Sequence, residues 1–184
     1  MTNPVTHLLW GYSISKNISK KKELIIFGTF MSIILDIDYL PLPGLKHHGF
    51  IHTPIFVIIL SLIFYLATRS KYILIISFVN MLFHLILDTL GTRAPVMWLW
   101  PLNESSFALG TEISLIALII IKLILFLIPL GYIIYCYYKF EENPLDIIDY
   151  LKEKFGIKAT YAFLIIFSLL IIYIGITEYL LKLI

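Results

Sequence analysis

Apolar and polar positions along this chain fall into long blocks. Five apolar blocks, roughly 24–40, 50–68, 72–90, 112–138 and 159–181, are separated by short polar connectors. A helix that crosses a bilayer needs about 20 mostly apolar residues. The blocks therefore predict an all-α, polytopic membrane bundle with about five transmembrane helices. Residues 4–15 form a shorter apolar segment, read as an N-terminal helix that crosses only partly. One polar connector, around 139–158, has its own pattern. Asn143 then Pro144 reads as an N-cap and first helical position. Leu145, Ile148, Leu151 and Phe155 follow at helical spacing, which predicts a short amphipathic helix on a membrane surface.

Composition strengthens the membrane reading. The chain is 60% hydrophobic, 14% charged and has a mean hydropathy of +0.93, whereas soluble domains are about 45–50% apolar and 25% charged. At 184 residues it is expected to form a single integral membrane domain over 1–184: metal-site motifs in 1–112, the surface connector in 139–158, and a last span in 159–184. Cys136 is the single cysteine, so an intrachain disulfide is excluded. The N-terminus carries no basic region ahead of the apolar segment 4–15, so no cleaved signal peptide is expected.

Charge sets the expected topology. The connectors around 16–23, 69–71 and 139–158 carry ten of the fourteen Lys and Arg residues; the alternate connectors, 40–50 and 90–111, carry Lys46 and Arg93. The positive-inside rule puts the first group in the cytoplasm. His7, Asp36, Asp38, His47, His48, His52, His84, Asp88 and Glu112 are then all expected at the outer face, including every histidine in the chain. Trp98 and Trp100 are expected in an interfacial loop there. Towards the inner side Lys122 is the one deep charge and no polar trail is evident, which disfavours a cation transporter.

Ionisable groups at membrane depth cost several kcal/mol unless paired, hydrated or metal-bound. His84 and Asp88, spaced i,i+4, point from one helix face. Mixed imidazole and carboxylate ligation suits zinc, with manganese or iron also possible, and such ions supply Lewis acidity for phosphoester chemistry. Taken singly, each group has a plainer reading: an interior histidine, a membrane-boundary carboxylate, a solvated loop residue. Their convergence on one face favours metal.

The motifs resemble a family of small membrane-bound metal-dependent hydrolases, YdjM-like and also described as LexA-binding and inner-membrane-associated. The resemblance covers residues 6 to about 112. It rests on "THLLWG" with His7, "LDID" with Asp36 and Asp38, "HHGFIHT" with His47 and His52, "HLILDTLGT" with His84 and Asp88, "WLWP" and "GTE" ending in Glu112. Departures are Leu35 for Pro, His48 for Arg and Ile51 for Thr. The family in turn is similar to zinc-dependent phospholipase C and P1-type nucleases.

That resemblance implies two or three divalent ions, most readily zinc, held by His7, Asp36, Asp38, His47, His48, His52, His84 and Asp88. Asp38 is a ligand or general base and Glu112 a ligand or orienting acid. The implied activity is hydrolysis of a lipid or headgroup phosphoester at the interface of the inner membrane. Nucleic acid is not an expected partner, and the inner connectors could hold a soluble protein. The competing reading is a non-enzymatic membrane regulator or a divalent-cation transporter.

Overall fold

The computed structural model describes residues 3–39 and 48–181. Among the described residues the regular elements are helices, apart from a single antiparallel pair, Val96 with Phe107, in the loop after the fourth helix. The helices are α1 (Pro4–Ile18), α2 (Lys22–Met31), α3 (Pro54–Thr68), α4 (Lys71–Gly91), α5 (Leu109–Glu112), α6 (Leu115–Phe140), α7 (Asp146–Phe155) and α8 (Ile157–Leu181). Two 3-10 turns, Ile34–Tyr39 and Phe50–His52, lie between α2 and α3.

Helix starts follow local chemistry. The side chains of Asn3, Thr53, Ser70 and Ser114 accept the N–H groups of Val5, Phe56, Ile73 and Ala117. Each satisfies one of the donors a helix N-terminus leaves open. Pro4 and Pro54 follow two of these caps, where a missing N–H costs nothing. The connector helix begins later than its sequence pattern predicts. Asn143 instead closes a turn, accepting the Leu145 N–H at 3.0 Å, and α7 starts at Asp146.

Among the described residues two helices, α4 with 21 residues and α6 with 26, are long and apolar enough to cross a membrane. At 1.5 Å per residue they extend about 31 and 39 Å, against a hydrocarbon core of about 30 Å. The remaining predicted spans do not pass that test. Helix α3 has 15 residues, and the apolar stretch of α8 is Ile157–Tyr173. The block at 24–40 is not one helix: α2 ends at Met31 after 10 residues, and a 3-10 turn carries Asp36 and Asp38. Continuing the α-helix would send the two acids in different directions around its axis. The tighter turn buries both, at 0% and 5% exposure.

Helix α1 packs on α2, α4 and α6, and α3 packs on α4. Three stripes of small and polar residues meet in the contact of α1, α2 and α4: His7, Gly11 and Ser15; Gly28, Ser32 and Asp36; Asn80, His84 and Asp88. All are buried. A Cβ on Gly11 would collide with Ser32 Oγ, and one on Gly28 with Ser15 Oγ and Ile76. Small residues let these backbones approach closely, as in membrane helix packing. The seam runs away from the histidines, which corrects the expectation of no polar trail. It is closely packed, with Asn80 Nδ2 donating to Ser15 Oγ at 3.1 Å, so it is no open path for an ion.

Helix α6 docks through a different device. Pro129 lacks the N–H that would bond the Leu125 carbonyl, and the Trp10 indole N–H donates to that carbonyl at 2.8 Å. Its other faces are exposed and apolar, with Ile116 at 73%. Such a surface suits lipid rather than water.

Candidate metal centre

Four chain segments bring ionisable side chains to one end of the α1–α4 unit: His7 on α1, Asp36 on the first 3-10 turn, His52 on the second, and His84 with Asp88 on α4. Each of Leu35, Ile51 and Leu85 neighbours one of these residues and is buried in the apolar core, which fixes the backbone behind the polar groups. The loop after α4 braces the same region. Trp98 Nε1–H donates to Thr89 Oγ1 at 2.9 Å, one residue past Asp88, and the Trp100 ring lies 5.0 Å from Phe50, beside the His52 turn.

Asp36 Oδ1, His52 Nε2, His84 Nε2 and Asp88 Oδ2 converge, with all four ligand atoms within 4.8 Å of one another. His84 Nε2 is 3.4 Å from Asp36, 3.2 Å from Asp88 and 3.3 Å from His52. His52 Nε2 is 3.6 Å from Asp88 and 4.0 Å from Asp36. A tetrahedral ion with ligands at about 2.0–2.1 Å has ligand–ligand edges about 1.6 times longer, about 3.3–3.4 Å. The three His84 distances match that edge, while the His52 distances to the carboxylates, 3.6 and 4.0 Å, are longer, so the cluster is close to the size of a small divalent cation site.

The proton positions fit as well. His84 Nδ1 lies 2.7 Å from the Ser32 carbonyl, which only accepts, so this nitrogen carries the proton. His52 Nδ1 lies 2.9 Å from Asp38 Oδ2, which also accepts the His48 backbone N–H at 3.0 Å. Both rings thus turn an Nε2 towards the shared centre, the arrangement in which outer partners orient metal-ligating histidines. In neutral rings two Nε2 lone pairs 3.3 Å apart repel unless a cation lies between them. Neither oxygen of fully buried Asp36 has a hydrogen-bond partner among the described residues. Such burial is costly without a compensating charge.

The remaining expected residues sort by position. His7 is fully buried, stacks on His84 with ring centroids 4.0 Å apart, and directs Nε2 to Asp88 Oδ1 at 3.3 Å. His48 stacks on His52 and lies 3.9 Å from Asp88 Oδ2. Asp38 stands behind His52 rather than among the four converging atoms. Glu112 is not brought in: it is exposed at the end of α5, and its carboxylate accepts the Thr111 hydroxyl at 3.2 Å. His47 lies outside the described residues.

Sequence reading missed the Ser32 carbonyl, since a backbone acceptor has no residue signature. It also missed the three stripes, although their four-residue spacing was visible. At the opposite end of α1 and α2, Lys16 and Lys20 pair with Glu142, and Tyr150 donates to Glu23 at 2.8 Å. The lysine-rich connectors thus gather away from the histidines. There the Lys16 ammonium holds the Glu142 carboxyl below its ordinary range.

No curated protein and no solved structure matches this chain. The family described as YdjM inner membrane protein matches residues 1–182, nearly the whole length, and the chain belongs to that family.

Proposed function

We propose that this protein is a multi-pass membrane hydrolase that uses divalent metal, most readily zinc, to cleave a lipid or headgroup phosphoester. One observation carries the reading: two carboxylate oxygens and two oriented imidazole nitrogens converge within 4.8 Å of one another in a buried site. Asp36, His52, His84 and Asp88 would hold a cation, and His7 with the second oxygen of Asp88 would begin another. Charge supports more than one ion. With neutral imidazoles, buried Asp36, Asp38 and Asp88 sum to −3. A bound cation supplies Lewis acidity that polarises a phosphoryl oxygen and acidifies water. Asp38 keeps His52 in the ligating tautomer. His48, 8% exposed, is placed to meet substrate or pass a proton. The lysine-rich connectors support an outer-face site by the positive-inside rule.

A second reading rests on the same burial. Four protein ligands close a tetrahedral shell, as in structural zinc sites, whereas catalytic sites keep a position open. The ion would then clamp α2, α3 and α4 together.

Metal analysis of purified protein, coupled to assays on phospholipids and generic phosphodiesters, separates these readings. The hydrolase reading expects zinc and turnover, both lost in Asp88→Asn. Bound metal without turnover, and an unfolding temperature that drops on chelation, would assign the structural role. A stable, active protein without transition metal would end both and leave ion-paired imidazolium. Labelling cysteines placed at Lys46 or Arg69, in a Cys136→Ser background, fixes the orientation.

A further inference from the structure

An apolar hollow of about 380 Å³ lies between α2, α7 and α8. Its walls include Ile26, Phe30, Leu151, Phe155 and Phe163, and a second hollow of about 140 Å³ adjoins it through Ile26, Phe30, Leu151 and Phe163. Helix α7 roofs the space with its apolar edge while none of its residues is buried. Tyr150 on Glu23 and the Lys22 ammonium on the Asp146 carbonyl tether that roof.

Two observations point to an occupant. Thr160 is 2% exposed on the wall, and its hydroxyl has no hydrogen-bond partner among the described residues. A buried hydroxyl left unmatched is costly. Lys154 and Lys158, both exposed, immediately precede the wall residues Phe155 and Ala159 in sequence, so the α7–α8 junction that bounds this uncharged slot carries two cations. Apolar walls, one hydrogen-bond donor and a cationic rim match the chain, ester and phosphate of a glycerophospholipid. We propose that this hollow binds one glycerophospholipid from the lysine-rich leaflet, with an acyl chain in the slot, its ester carbonyl at Thr160 and its phosphate by Lys154 and Lys158. This site is separate from the metal centre and does not depend on it.

The full chain in liposomes with a phosphatidylglycerol carrying a diazirine on its acyl chain tests the assignment. Photolabel is expected to concentrate on residues 155–163 and 26–30. Ala159→Trp, which fills the slot, is expected to remove that label while α6 labelling persists. Thr160→Val preserves shape and removes the donor. Binding of dioleoylphosphatidylglycerol to delipidated protein, read by native mass spectrometry, is expected to weaken about five- to tenfold, the worth of one hydrogen bond. Labelling spread evenly over α6 and α8, or Thr160→Val binding as the parent does, would overturn the proposal even if the tryptophan variant fails to fold.

Discussion

His84 donates its Nδ1–H to the carbonyl of Ser32, 52 residues earlier, at 2.7 Å. The bond exists because α2 stops. In a continuing helix that carbonyl would accept the Asp36 N–H; here Asp36 N–H turns to Ile33 at 3.0 Å. One break in the helix therefore releases the acceptor that orients His84 and swings Asp36 towards the same centre. His84→Ala should remove both a ligand and the partner of a buried carbonyl. Bound metal should fall to background, and stability should drop by about 1–3 kcal/mol beyond the loss from metal release. Metal analysis and denaturant unfolding of metal-stripped parent and variant check the two parts separately.

Asp36 and Asp38 are two residues apart but differently placed, and their amides should behave differently. Asp36→Asn should abolish metal binding. Asp38→Asn should keep the stoichiometry and weaken affinity about 10- to 100-fold, the usual scale for losing an outer partner of a ligating histidine. Competition against a chromogenic chelator measures both. Equal loss in the two variants would place Asp38 among the ligands.

The Trp10 bond to Leu125 should matter only while Pro129 is present. Trp10→Phe should cost about 1–3 kcal/mol by stranding a carbonyl. Pro129→Ala supplies the missing helix N–H, so Trp10→Phe should cost less in that background. A double-mutant cycle by thermal unfolding in detergent reads the coupling.

Two glycines should respond in opposite ways. Gly28→Ala drives a methyl into Ser15 and Ile76 and should destabilise by about 1–3 kcal/mol, as overpacking does. Gly131, inside α6, has nothing within 4 Å of a built Cβ. Gly131→Ala should be neutral or stabilising by up to about 1 kcal/mol through helix propensity. Unfolding midpoints of the paired variants test this.

Glu142 gives a modest pH effect. Its carboxyl is held low by Lys16, so it binds fewer protons folded than unfolded. Its contribution is present above the ordinary carboxylate range and is lost as pH falls through the depressed value. Acid should therefore loosen the connector at α7, seen as faster hydrogen exchange over 141–155. Glu142→Gln should remove that acid dependence and leave metal content unchanged.

Composition and periodicity determined much of this protein. Apolar blocks fixed an all-helical, membrane-suited chain because backbone groups in lipid must be satisfied within each helix. The scarcity of ionisable residues in the apolar segments singled out His7, Asp36, Asp38, His52, His84, Asp88 and Glu112, with His47 and His48 in a connector beside them, since such groups are expensive without a use. Tertiary structure alone decided three further matters. It broke the 24–40 block, because burying both acids requires a tighter turn than a straight helix allows. It set Asp38 behind His52 and left Glu112 outside, because distance from a centre depends on where four separate segments end. It also supplied Ser32 and Leu125 as carbonyl acceptors, which carry no residue signature and become available only when a neighbouring N–H is turned away or missing.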